Sequence, residues 1–131
     1  MRITVDTNVL IRAVVRDDKK QAAAADKALQ SAEVIAVTLP CLCEFVWVLR
    51  KVYGISQADI AQAIRTLLSV ANVAADRAAA EAGLAVLEAG GDFADGVIAH
   101  DGGRLGGEAF ISFDKQAIKL IQATGLAAKL P

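Results

Sequence analysis

Four carboxylates stand out for the chemistry they could do together: Asp6, Glu44, Asp95 and Asp114. Asp6 lies in Val5-Asp6-Thr7-Asn8-Val9-Leu10, where a short apolar run ends and a helical pattern begins. In open α/β sheets the carboxyl ends of strands are where ligands and chemistry collect, although Asp is also a favoured helix N-cap. Asp114 repeats this setting directly after Phe110-Ile111-Ser112-Phe113, and taken alone an N-cap explains it at least as well. In Asp92-Phe93-Ala94-Asp95, Asp92 suits the cap or a supporting role, while Asp95 occupies the third helical position and can still point into a site at that helix end. Glu44 is the only charged residue from Leu39 to Leu49. A helix apolar all round is expected to be buried, and a lone ionised carboxylate inside it is costly unless paired or bound to a metal. The bland alternative puts Glu44 on the helix's one solvated face or paired with Arg50 or Lys51, but its neighbours three and four residues on, Trp47 and Val48, offer no partner.

Four carboxylates in one pocket repel one another and raise their pKa values unless a cation sits among them. Hard oxygen ligands of this kind suit Mg²⁺ or Mn²⁺, which keep waters and bridge to phosphate oxygens. The chemistry implied is metal-assisted attack of water on a phosphodiester.

The elements that would position these acids alternate between short β-branched runs and longer helical stretches, the pattern of a parallel sheet covered by helices. Strands are expected at Ile3–Asp6, Val34–Val37, Val70–Val73 and Ala109–Ser112, with Ile3–Asp6 and Ala109–Ser112 in one sheet. Helices are expected at about Asn8–Val15, Lys19–Ser31, Cys41–Val52, from Ser56 onward, Ala78–Ala89, from Asp92 to the glycine-rich Gly102–Gly107, and Lys115–Ala123. Pro40 suits a first helical turn, Ser56 and Asp59 form an S-x-x-D capping pattern, and Gly54 and Gly90-Gly91 suit helix stops. The fold expected is a single α/β domain, residues 1–131, with a central, mostly parallel sheet of four or five strands flanked by helices.

Composition agrees with such a core. Of 131 residues, 55% are hydrophobic and only two are proline, which disfavours disorder. A formal net charge of -1 argues against a protein that coats nucleic acid by charge alone, yet allows a local basic rim. Cys41 and Cys43, two apart on a helix, cannot bridge without strain and read as reduced thiols of a soluble cytoplasmic domain. The opening strand is unlike a signal peptide, and no apolar run is long enough to span a bilayer.

Taken in order, Val5-Asp6-Thr7-Asn8-Val9-Leu10, Glu44-Phe45-Val46-Trp47-Val48-Leu49, Asp92-Phe93-Ala94-Asp95 and Ser112-Phe113-Asp114-Lys115 resemble a PIN-domain ribonuclease, in particular the toxin of VapBC-type toxin–antitoxin pairs. The likeness spans essentially the whole chain, and Arg12-Ala13-Val14-Val15-Arg16-Asp17-Asp18 resembles that family's first helix and turn. Ser112 replaces the commoner threonine but keeps the hydroxyl, and the Gly102-Gly103 and Gly106-Gly107 pairs make the loop before Ala109 unusually glycine-rich. The resemblance implies a Mg²⁺- or Mn²⁺-dependent endoribonuclease with Asp6, Glu44, Asp95 and Asp114 as catalytic residues. Asp6, Asp95 and Asp114 would be metal ligands, and Glu44 would complete the cluster directly or through water. It also implies an RNA substrate, 5′-phosphate and 3′-hydroxyl products, a homodimer and a small antitoxin partner.

Other signals point elsewhere or nowhere. His100 is the only histidine and reads as structural or surface, and Cys41 and Cys43 lack the second pair a zinc site needs. Trp47 is expected in the core or a dimer interface. Arg12 with Arg16, and Lys115 with Lys119, share helix faces and could meet either RNA phosphates or a partner's carboxylates. A haloacid-dehalogenase-type phosphatase would want an acid two residues after Asp6, where Asn8 stands, and a receiver domain would not explain Glu44. A catalytically inactive PIN-like domain that only binds RNA or a partner is the non-enzymatic alternative.

Overall fold

The computed structural model describes residues 1–131. It is α/β, with seven helices and five short strands, and its chain divides into two compact units, Met1–Asp76 and Arg77–Pro131. No helix is long and apolar enough to cross a membrane.

The first unit carries β1 (Arg2–Thr4), α1 (Thr7–Val15), α2 (Lys19–Ser31), β2 (Val34–Ala36), α3 (Leu39–Lys51), α4 (Gln57–Ser69) and β3 (Val73–Ala74). Its sheet has the order β1-β2-β3 and is wholly parallel, with Ile3 opposite Ile35 and Ile35 opposite Val73. Parallel neighbours require a crossover, and helices supply each one. The ladder continues past the strand ends through Val5 N–H to Ala36 O (3.2 Å) and Val37 N–H to Ala74 O (2.9 Å). Asp6 is therefore the first residue beyond the ladder.

Polar caps start these helices, at Ser56 as the sequence suggested, and at Asp18 and at Thr38, which begins α3 at Leu39 rather than Cys41. Asp18 accepts from Gln21 N at 3.0 Å, Thr38 from Cys41 N at 3.3 Å and Ser56 from Asp59 N at 3.2 Å. Helix α1 ends at Arg16 with φ 61°, a left-handed conformation costly for a residue with a Cβ. The Arg16 guanidinium meets Asp26 of α2 through two hydrogen bonds, 3.0 and 2.8 Å, a fork geometry that fixes the orientation of this turn against α2 and holds the Asp26 carboxyl below its ordinary range.

Two expectations are corrected here. Helix α3 is not buried all round: it buries Cys41, Leu42, Phe45, Val46 and Leu49, while Glu44, Trp47, Arg50 and Lys51 are exposed. The spacing of the buried set defines one stripe, which the dense apolar composition masked. The third strand is Val73–Ala74 rather than Val70–Val73, because α4 runs to Ser69 and Val70 closes it.

The second unit carries α5 (Arg77–Glu88), α6 (Phe93–Arg104), β4 (Phe110–Ile111), α7 (Lys115–Ala123) and β5 (Ala128–Lys129). Val86, Ile118, Ile121 and Ala128 form its apolar cluster, with Phe110 and Leu120 packed against it. All strand pairings are parallel as expected, but the single central sheet is not found: the five strands form a three-stranded and a two-stranded sheet, so β1 and β4 lie in different sheets. Strand β4 pairs with β5 instead, through Phe110 N–H to Ala127 O (2.9 Å) and Ser112 N–H to Lys129 O (3.2 Å). No sequence signal marked β5, whose Ala-Lys pair has little intrinsic strand preference.

Gly96 sets how closely α5 and α6 pack. A Cβ there would strike the Ala82 carbonyl oxygen and lie 2.8 Å from Gly83 Cα, while one at Gly83 would lie 2.6 Å from the Phe93 ring. The neighbouring Asp95 is thereby held on a helix whose height over α5 is fixed by backbone contact. Alanine ordinarily favours a helix interior over glycine by about 1 kcal/mol. At this site the contact is with backbone, so Gly96→Ala is expected to destabilise by about 1–3 kcal/mol, the usual cost of overpacking. Urea unfolding gives the sign; a more stable variant would refute the close contact.

Candidate functional site

In the first unit, Asp6 follows β1 and caps α1 from an extended conformation, φ -77° and ψ 155°. Its Oδ1 accepts from Thr7 N at 2.7 Å, and the carboxylate remains exposed. Capping and presentation are compatible, because one oxygen satisfies the helix end and the other is left outward. Thr7 is the one buried polar residue, at 4% exposure, and its hydroxyl hydrogen-bonds the Cys41 thiol. Burial pushes that thiol up from its ordinary value, the Thr7 bond opposes this, and the charges of Asp6 and Glu44 add to the rise. Both acids therefore lie near enough to act on the same sulfur atom. Cys41 and Cys43 are unbridged.

Glu44 stands on the solvated face of α3, so the cost of a buried lone charge does not single it out. It shares with Asp6 an electrostatic influence on Cys41. Trp47, one turn on, is 58% exposed and is not a core residue. Arg12 and Arg16 are not available as phosphate-binding cations in this conformation. Arg12 Nη1 bonds Asp17 Oδ1 at 2.7 Å and Tyr53 Oη at 3.4 Å, and Arg16 is held by Asp26.

In the second unit, Asp92 caps α6 through Ala94 N at 3.1 Å, leaving Asp95 in the first helical turn. Asp114 caps α7, its Oδ1 accepting from Gln116 N at 2.9 Å and Ala117 N at 3.1 Å. The Asp114 N–H donates to Ser112 Oγ at 3.0 Å, which gives the retained hydroxyl a definite task. Asp95 is half-buried, and its carboxyl is pushed up, first by burial and then by the charges of Asp92 and Asp114. Asp95 and Asp114 are thus near enough to interact, although burial and Asp92 weigh more on Asp95. His100, farther along α6, lies 3.6 Å from Asp101 and contributes nothing to that pair.

Asp6 and Glu44 lie in the first unit, each within electrostatic reach of Cys41, and Asp95 and Asp114 lie in the second, Asp114 within electrostatic reach of Asp95. Within neither unit do three or more His, Cys, Asp or Glu side chains stand close enough to hold a metal ion by themselves. Mg²⁺ does not require such a cage, since one or two carboxylates with waters and substrate phosphate commonly suffice. Within each unit the carboxylates, exposed Asp6 and Glu44 in one and half-buried Asp95 with exposed Asp114 in the other, are oxygen donors of that kind. Sequence reasoning passed over Phe113, which is almost fully exposed next to Asp114. The sequence Phe110-Ile111-Ser112-Phe113 carries no signal for this, because the exposure of Phe113 follows from which face of the short strand meets the core.

A family model described as PIN domain matches residues 3–122 and so covers all four acids. No curated protein matches the sequence.

The raised Asp95 carboxyl carries a stability consequence. The folded state holds this proton more tightly than the unfolded chain does, so its contribution is present at low pH and is lost as pH rises from the ordinary Asp value through the raised one. Asp95→Asn has no charge to acquire. In metal-free buffer at pH 7 its thermal midpoint is expected above that of the wild type, with the difference shrinking on acidification. A variant less stable than wild type at pH 7 would contradict the raised carboxyl.

Proposed function

Because this chain belongs to the PIN domain family, whose members are generally nucleases, we propose that it is a Mg²⁺- or Mn²⁺-dependent endoribonuclease and the toxin component of a toxin–antitoxin pair. The observation that carries this reading is that the family match, residues 3–122, runs over Asp6, Glu44, Asp95 and Asp114 alike. Asp95 is raised first by burial and then by the charges of Asp92 and Asp114, and a divalent cation would relieve the repulsive part of that shift.

Asp6, Asp95 and Asp114 are the proposed ligands, with Glu44 acting directly or through water. A bound divalent ion supplies Lewis acidity at the phosphoryl oxygens and lowers the pKa of water. The protein supplies rigidity: Asp6 and Asp114 are anchored by backbone N–H groups at helix starts, so each presents its carboxylate in one orientation. Lys115, exposed directly after Asp114, is placed to neutralise a substrate phosphate. Water rather than the 2′-hydroxyl is the proposed nucleophile, which gives 5′-phosphate and 3′-hydroxyl ends.

The proposed partners are RNA, a second copy of the chain and a small antitoxin protein that lays an amphipathic segment on the surface and sets a basic side chain among the acids. The apolar stripe of α3 is already buried, so it does not call for a partner; exposed Trp47 is the residue of that helix offered to one. The two unbridged thiols suit a cytoplasmic setting.

Asp6→Asn removes a charge with little change of shape and is expected to abolish cleavage of RNA by the purified protein while its circular-dichroism melting curve persists. EDTA is expected to do the same to the wild type, and end-labelling of the products to show 5′-phosphates. A metal-free, acid-independent protein that binds RNA without cutting it would instead be the inactive PIN-like domain. In sedimentation, Trp47→Arg is expected to shift a wild-type dimer toward monomer; a monomeric wild type would remove the homodimer.

A further inference from the structure

The chain has four phenylalanines, one tryptophan and one tyrosine. Phe45 and Phe93 are buried and Phe110 and Tyr53 half-buried, whereas Phe113 is 85% exposed, more so than Trp47. A single exposed apolar side chain is ordinary, so exposure alone assigns no role. The backbone around Phe113 adds a second observation. Ser112 N–H is tied to Lys129 O at 3.2 Å, Asp114 N–H to Ser112 Oγ at 3.0 Å, and the Asp114 carboxylate to the first turn of α7. The ring therefore projects from a corner that is fixed on both sides, next to a proposed metal ligand. Lys115 and Lys119, one turn apart and both exposed, stand on the helix that this corner begins.

We propose that Phe113 is a nucleobase-stacking platform, holding the base of a single-stranded RNA nucleotide whose phosphate is handled at Asp114. The inference rests on the ribonuclease reading and deepens it. An exposed aromatic face is sequence-tolerant, because every base has a π-face to lay on it, and the two lysines complement the phosphates that accompany the base. The same two ammonium groups disfavour a basic peptide segment as the occupant of Phe113.

Binding is measured by fluorescence anisotropy in the full chain carrying Asp6→Asn, with two probes: a labelled single-stranded RNA oligonucleotide and its abasic ribose-phosphate counterpart. Wild-type cleavage is assayed in parallel. Phe113→Ala is expected to weaken binding of the base-bearing RNA by roughly five- to a hundredfold, the range for loss of one base–aromatic stack. Binding of the abasic strand is expected to stay unchanged, Phe113→Trp to restore the loss and Phe113→Leu not to. Unchanged thermal midpoints, as befits an exposed side chain, show that folding is not the cause. If the wild type cleaves RNA and Phe113→Ala binds it normally, or if Leu restores binding as well as Trp, the stacking role is overturned while the ribonuclease reading stands. If the wild type neither binds nor cleaves RNA, both fall.

Discussion

A carboxylate accepting the first N–H groups of a helix is the interaction on which this structure's candidate chemistry depends. Asp6, Asp92 and Asp114 all do this. The helix end needs an acceptor for its unpartnered N–H groups, and its dipole favours a negative charge there. That need fixes each side chain while leaving it at the surface. A carboxylate on a free loop would sample many orientations, and holding it in one would cost conformational entropy at the moment of binding. Capping removes that freedom during folding, so the same bonds that stabilise α1 and α7 also orient Asp6 and Asp114.

Asp95 is the exception. It sits within the first turn rather than at the cap, half-buried, with Asp92 and Asp114 both acting against its ionisation. Close backbone contact at Gly96 holds it there, so the helix cannot shift to ease the strain. A half-buried carboxylate with two like-charged neighbours is less stable without a counter-ion than a neutral side chain would be.

The arginines show how local charge is used for structure instead. Arg12 joins α1 to Asp17 and to Tyr53, just beyond α3, and Arg16 joins α1 to α2. Exposed ion pairs contribute little to stability individually. Their effect here is geometric, since they bind the helix that Asp6 begins to its two neighbours. The lysines of α7 make no such pairs and remain available to a polyanion.

Much of this was legible in the sequence. Caps, glycine stops and hydrophobic period are local signals, so Lys19–Ser31 and Lys115–Ala123 are found at the expected residues and the other helices begin or end within a few residues of theirs. The parallel α/β class and the four acids in their ordered motifs were legible for the same reason. Composition misled where burial depends on which stripe of a helix meets the core: α3 reads as apolar throughout, yet tertiary packing leaves Glu44 and Trp47 in solvent. Strand pairing is likewise a long-range choice. Two-residue strands carry too little propensity to announce themselves, and only the folded backbone decided that β4 would bond to β5. Residue types and spacing determined which groups could do chemistry. The tertiary structure alone decided that Asp6 and Glu44 both come within electrostatic reach of Cys41, that Asp95 is half-buried near Asp92 and Asp114, and that Phe113 faces water, because proximity and desolvation are properties of the packed chain and not of the sequence order.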